Sequence, residues 1–428
     1  MAIHILSAMR SKLIDNRLFG NFAWLMAAEF LSRLCRIITA IIIARTLDVA
    51  AFGIAALALT VFELLRVFTE NGIGAAVIRA PDDELEATAN TAYRLMWMVC
   101  LSLAILQICV GIILQSVYPQ TELGGMISVL AIIYLIMPLG VVQAYLMQRQ
   151  QRMKRLAIVT TSQTLSDHLL TAGLALAGLG AWALVLPKLL TTPVWLIAIR
   201  ISHDWRYQPA ADHQSAKQIF IFSAPVLTAE IAVAAREQAD KIIIAACYGL
   251  DVLGLYYFAF NAGLGLSSSL NRAFINALYP NLCADRPSSH EQFKRFRNAM
   301  FVFGLPLCCG YMLQAIAALF YVPVIFGTDW AYAAPLVALL CLSGPSKLII
   351  DSLRVYRRAL GETKAEFAYA LVFTSLLLGP LAILASLGLS PAISAAIMST
   401  TLFSATSLAL VLIRSRDRWK LQNRRAQI

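Results

Sequence analysis

The chain has 428 residues, of which 59% are hydrophobic and 14% charged, with a net charge of +11 and a mean hydropathy of +0.71. That much apolar surface is more than a soluble chain of this length can bury, which excludes a water-soluble enzyme or binding module and makes the bilayer the solvent. The basic excess is divided among short connections instead of lining one face, which excludes a nucleic-acid-binding surface.

Met1–Phe19 is mixed and amphipathic, with no small-residue cleavage site before the first long apolar run, so it reads as an interfacial helix leading into an uncleaved span. Twelve runs near the length needed to cross ~30 Å of hydrocarbon follow. They cover 22–44, 51–69, 92–117, 123–147, 157–178 and 181–200, then 219–246, 252–278, 298–322, 331–351, 364–388 and 391–413. Basic residues cluster in alternate connections, as in Arg149–Arg155, Arg206–Lys217, Lys294–Arg297 and Arg354–Lys364, and in both tails. The opposite connections hold essentially only Arg45, so both termini are expected on the cytoplasmic side.

The runs contain a duplication. Ile41–Ala58, IIIARTLDVAAFGIAALA, returns 201 residues later as Ile242–Ala259, IIIAACYGLDVLGLYYFA, with six of eighteen positions identical. The same offset pairs Glu29 with Glu230 and Arg36 with Glu237. Six intervening spans restore the original direction, so the halves are parallel repeats about an axis along the membrane normal. The expected fold is an all-α polytopic membrane protein of about 12 transmembrane helices, in two parallel six-helix lobes around a central cavity. The lobes are residues 1–200 and 218–428, joined by a cytoplasmic linker at 201–217.

Ionisable residues inside the runs are the candidate site, because each costs about 2.5–3.5 kcal/mol at mid-membrane. Glu29, Arg33 and Arg36 are spaced by four and three along the first span and share a helix face. Glu63 and Arg66 lie one turn apart on the second span; Glu230, Arg236, Glu237, Asp240 and Lys241 lie on the seventh, and Arg272 on the eighth. Internal ion pairs such as Glu29–Arg33 and Arg236–Asp240 are the plainer alternative, at the i,i+4 spacing. Lys188 and Lys347 read as snorkelling or lining residues, and Asp167 with His168 as a packed polar pair in preference to a proton relay. The cysteines and five histidines have no metal-ligand spacing, and no phosphate-cradling Gly-rich loop, His-Glu-x-x-His or Gly-x-Ser-x-Gly occurs, so no metal, cofactor or catalytic residue is expected.

Several segments resemble, in order, bacterial polysaccharide-export flippases. Ile43–Ala58, IARTLDVAAFGIAALA, is similar to their first-loop motif, and Glu70–Arg79, ENGIGAAVIR, to the connection before the third helix. Ala239–Asn261, ADKIIIAACYGLDVLGLYYFAFN, is similar to their central Asp-led element, although Ala245 or Ala246 stands where a Gly is usual. Pro323–Pro335, PVIFGTDWAYAAP, and Ala359–Lys364, ALGETK, complete the series. The resemblance implies a Wzx-like oligosaccharide flippase of the multidrug/oligosaccharidyl-lipid/polysaccharide exporter superfamily, in the bacterial inner membrane. It implies a lipid-linked oligosaccharide as substrate, membrane lipids around it, and a polysaccharide polymerase and export machinery as partners.

In that frame Arg33, Arg36 and Arg66, with Arg236 and Lys241 from the other half, are the expected ligands of a pyrophosphate, since guanidinium groups bind it bidentately. Glu29, Glu63, Glu230 and Asp240 are the expected coupling or cation-orienting groups. The competing readings are a cation-coupled multidrug exporter of the same superfamily and, from another class, a membrane-embedded polysaccharide polymerase.

Overall fold

A computed structural model describes residues 32–360, except 33, 70, 151, 209–215 and parts of 266–287. Glu29, Arg33, Arg272 and the expected spans 364–388 and 391–413 lie outside the described residues. Every described element is helical. Among the described residues six stretches are long and apolar enough to cross a membrane: Val49–Thr69, Leu85–Val117, Trp182–Ser202, Glu237–Gly265, His290–Phe326 and Trp330–Arg357. A bent pair, Leu123–Ile136 with Pro138–Arg149, makes a seventh. The chain is an all-α multi-pass membrane protein, divided into two compact units, Met1–Gln238 and Ala239–Ile428.

The first unit begins with α1 (34–46) and α2 (Val49–Arg66, continued by a 3-10 turn to Thr69). Asp48 separates them as an N-cap, its Oδ1 accepting from Ala51 N at 2.9 Å. A short α3 (Asn71–Arg79) leads to α4 (Leu85–Val117), which at 33 residues is about 50 Å long and outruns the bilayer. The expected fourth span is three pieces, α5 (Leu123–Leu130), α6 (Ile132–Ile136) and α7 (Pro138–Arg149). It bends by 57° at Pro138, which has no N–H for the ladder and whose ring presses on the carbonyl four residues back. Then α8 (Met153–Leu176) packs along α9 (Trp182–Ser202).

The beginning of the expected linker is part of this unit. Tyr207 stacks on Tyr93 of α4 at 4.7 Å, its hydroxyl accepts from Arg94 Nε at 2.6 Å, and Gln208 N donates to Asn90 Oδ1 at 3.1 Å. His203 Nδ1 accepts from Trp205 N at 3.1 Å. Partial burial, then the charges of Arg152 and Arg206, push this imidazole below its ordinary pKa against the pull of Asp204, which suits the acceptor role.

The helical run α10 (Ala216–Phe260) contains the boundary between the units and is broken at Gly249, φ 84° and ψ −178°. Gly249 is the repeat partner of Asp48. The same turn is made by an Asp cap in one half and by a positive-φ glycine in the other. In the second unit α11 (Ser289–Ala299) runs through a π turn, Met300–Gly304, into α12 (Leu305–Tyr321). Lys294, Arg295 and Arg297, expected in a connection, therefore stand on a helix continuous with the span. α13 (Ala334–Leu342) and α14 (Gly344–Ala359) are broken at Ser343, ahead of Gly344-Pro345. The fourth span and its repeat, the tenth, are thus both interrupted next to a proline.

A β-carbon at Gly344 would overlap the ring of the buried Tyr311, and one at Gly74 would overlap that of Tyr145. Gly344→Ala is expected to destabilise the protein by about 1–3 kcal/mol, the cost of overpacking a filled site. Thermal unfolding in detergent checks this; an unchanged midpoint would mean that Tyr311 yields freely.

Candidate functional site

Four helices of the first unit bring ionisable side chains to one cavity of about 460 Å³. Arg36 comes from α1, Glu63 and Arg66 from α2, Asp167 and His168 from α8, and Lys188 from α9. Phe62, Ile133, Met137 and Trp195 supply apolar wall beside the charges.

Each charged group is held by local structure. Arg66, in the last turn of α2, donates from Nε and Nη2 to Glu63 Oε2 at 3.0 and 2.9 Å. Both side chains remain more than a third exposed, at 38% and 36%. Tyr145 Oη donates to Thr69 O at 2.9 Å and Tyr134 Oη to Phe62 O at 3.4 Å, fixing this end of α2 against the bent span. Lys188 Nζ meets Asp167 Oδ2 at 2.7 Å, from α9 to α8. Pro187 and Pro193 interrupt the ladder of α9 around Lys188. Thr191 and Thr192 hydroxyls donate to the Pro187 and Lys188 carbonyls at 2.8 and 2.7 Å. Thr39 Oγ1 donates to His168 O at 3.2 Å and ties α1 to α8.

Two buried polar atoms, Asp167 Oδ1 and His168 Nε2, meet no hydrogen-bond partner among the described residues. The described ionic inventory is three cations, Arg36, Arg66 and Lys188, against two carboxylates, Glu63 and Asp167. Such a site suits an anion that takes hydrogen bonds from guanidinium and ammonium groups together. Among the described residues no group of three or more His, Cys, Asp or Glu is placed to hold a metal.

Of the residues singled out in the sequence, Arg36, Glu63 and Arg66 are brought together here. Asp167, His168 and Lys188, expected in lesser roles, join them. A signal was present: α8 has 24 residues but is absent from the helices apolar enough to cross alone, because Thr160–Thr164 and Ser166–His168 interrupt it. Lys241 and Asp240 belong to the second unit and are nearly fully buried. Lys241 Nζ lies 3.6 Å from Asp240 Oδ1 and 5.1 Å from the Phe260 ring centre, while Tyr256 Oη donates to Asp240 Oδ2 at 2.6 Å. This is the geometry of an internal brace. Glu230 and Arg236 are on α10, but their side chains lie outside the described residues.

Residues 42–335 match the family model described as polysaccharide biosynthesis protein. The succinoglycan biosynthesis transport protein ExoT of Rhizobium meliloti (strain 1021) is 24% identical over 361 residues, covering 82% of this chain and 71% of ExoT. The teichuronic acid biosynthesis protein TuaB of Bacillus subtilis (strain 168) is 23% identical over 291 residues, 67% of this chain and 59% of TuaB; the chain thus matches well under the whole length of these relatives. Among solved structures, the lipid II flippase MurJ in an inward closed conformation is similar with a TM-score of 0.73 at 13% identity, over 92% of this chain and 87% of MurJ. At that identity the likeness establishes a shared fold.

Proposed function

We propose, for a chain that belongs to the polysaccharide biosynthesis protein family, that it flips polyprenyl-pyrophosphate-linked oligosaccharide repeat units across the bacterial inner membrane by alternating access. The observation that carries this reading is the cavity in which Arg36, Arg66 and Lys188 meet inside apolar helices. A pyrophosphate bearing sugars cannot pass through hydrocarbon unsolvated. Guanidinium and ammonium donors, with the Thr and Gln side chains of α8, supply replacement hydrogen bonds while the polyprenyl tail stays in lipid. The naming of ExoT as a transport protein and of MurJ as a lipid flippase supports the same reading. Arg33, three residues before Arg36 in the sequence, and Arg236 of the second repeat are proposed to join this group, whereas Lys241, expected among the ligands, is braced by Asp240. Glu29, Glu63, Glu230 and Asp240 are proposed to orient these cations. An exporter of cationic drugs is supported less, because the described cavity holds more cations than carboxylates.

A strain lacking the protein is expected to accumulate lipid-linked repeat units accessible only from the cytoplasmic side, with export restored by the intact gene. Wild-type polymer output from the deleted strain, with no other flippase present, would remove the proposal.

A further inference from the structure

Among the described residues a second cavity exceeds the charged one in volume. A groove of about 980 Å³ lies within the second unit, between a helix face carrying Leu270, Phe274, Leu278 and Asn281 and the α11–α12 face that begins at Arg295. The first four residues are spaced by four, four and three, one stripe of a helix. On the opposite wall, Arg295, Asn298, Val302, Phe303, Pro306 and Gly310 follow the same periodicity down to Tyr311. The π turn Met300–Gly304 falls at the middle of this wall, where Val302 and Phe303 stay 57% and 60% exposed. Phe303 faces Phe274 across the groove at 6.5 Å between ring centres.

The groove is apolar along its length and polar at one end. That end is held firmly. A capping box of Ser288 and Glu291 starts α11. Gln292 Nε2 donates to Leu282 O and Ala359 O at 3.4 and 3.2 Å, and the Phe296 ring packs on Tyr356 at 4.8 Å. Arg295 is thereby turned to the groove mouth, where its Nη1 donates to Asn281 O at 3.0 Å beside the amides of Asn281 and Asn298. Lys294 and Arg297 are exposed on the same helix and add positive potential. From Arg295 to Tyr311 the wall runs about 24 Å, enough for a lipid chain that crosses one ~15 Å leaflet of the hydrocarbon core.

We propose that this groove is a binding site for an anionic phospholipid. Its phosphate rests on Arg295 and the two Asn amides, and an acyl chain lies along the Phe274–Phe303 pair. Guanidinium groups pair with phosphate oxygens bidentately, and basic pockets between membrane helices take anionic headgroups. The site is separate from the transport reading and does not depend on it.

Native mass spectrometry of the full-length protein, titrated with phosphatidylglycerol, phosphatidylethanolamine and a polyprenyl phosphate, tests this. Wild type is expected to retain phosphatidylglycerol in preference to phosphatidylethanolamine. Arg295→Gln should weaken phosphatidylglycerol about tenfold, as for one lost charge-assisted hydrogen bond. Arg295→Lys should keep most of the preference, and Val302→Trp, which fills the groove, should lower retention of every lipid. Arg297→Gln, on the outer face, should change little. If Val302→Trp does not fold, the Gln and Lys variants at Arg295 still decide. Equal retention of both phospholipids, no effect of Arg295→Gln, or displacement of phosphatidylglycerol by stoichiometric polyprenyl phosphate would each overturn the assignment.

Discussion

Replacing Arg36 and Arg66 together by glutamine is expected to abolish polysaccharide output while the protein remains in the membrane. Both side chains line the cavity, and glutamine keeps a donor amide and most of the length while removing the charge. A hydrogen bond to a charged group contributes about 1.5–3 kcal/mol, so each loss should slow transport about ten- to hundredfold and the pair by the product. Arg66 also holds Glu63 at 2.9 Å, so its loss alone leaves a carboxylate uncompensated. The companion variant Glu63→Gln/Arg66→Gln separates the two effects. Output should stay low if Arg66 serves the substrate and recover if it serves only Glu63. Normal polymer from the Arg36/Arg66 double variant, at normal membrane levels, would sink the site.

The second large effect is at the Asp167–Lys188 pair. Removing one partner of a buried pair costs about 3–5 kcal/mol. Asp167 is 14% exposed but Lys188 is 37% exposed toward the cavity, so solvent screening reduces that figure. Lys188→Ala is expected to destabilise by about 1–3 kcal/mol, chiefly because Asp167, whose Oδ1 already meets no partner among the described residues, then loses its cation. Asp167→Asn/Lys188→Ala should recover most of the stability in detergent melts and none of the transport. Equal melting of the single and double variants would show that the pair is not coupled. Recovered transport would show that the ammonium does not meet the cargo.

Much of the fold was legible, for identifiable reasons. The span expected at 51–69 is the stretch Val49–Thr69, since an uninterrupted apolar run has few other fates in a bilayer. The span expected at 123–147 is the bent pair Leu123–Ile136 with Pro138–Arg149, and Pro138 marks the bend in the sequence. α11 was read as a connection because its residues are polar, whereas its capping box and its continuity with α12 make it a helix. Arg36, Glu63 and Arg66 stood out as charges within apolar sequence. Asp167 and Lys188 stand out singly but not as a pair, because their partnership spans two helices and 21 residues and follows no intrahelical spacing. The i,i+4 spacing pairs Asp240 with Arg236, whose side chain lies outside the described residues. Among the described residues Asp240 meets the adjacent Lys241 and the more distant Tyr256, which lies beyond the break at Gly249.

The two ion pairs of the cavity bear on the unloaded protein. Arg66 and Lys188 each rest on a resident carboxylate, at 2.9 and 2.7 Å. On the proposed function, an arriving diphosphate displaces an anion already in place, and its departure lets Glu63 and Asp167 close again on their cations. On that reading two of the three cavity cations, Arg66 and Lys188, are matched by resident carboxylates when the carrier is empty, so its return to the loading side strands less charge in hydrocarbon. Resetting is thereby made easy by the same side chains that accept the load.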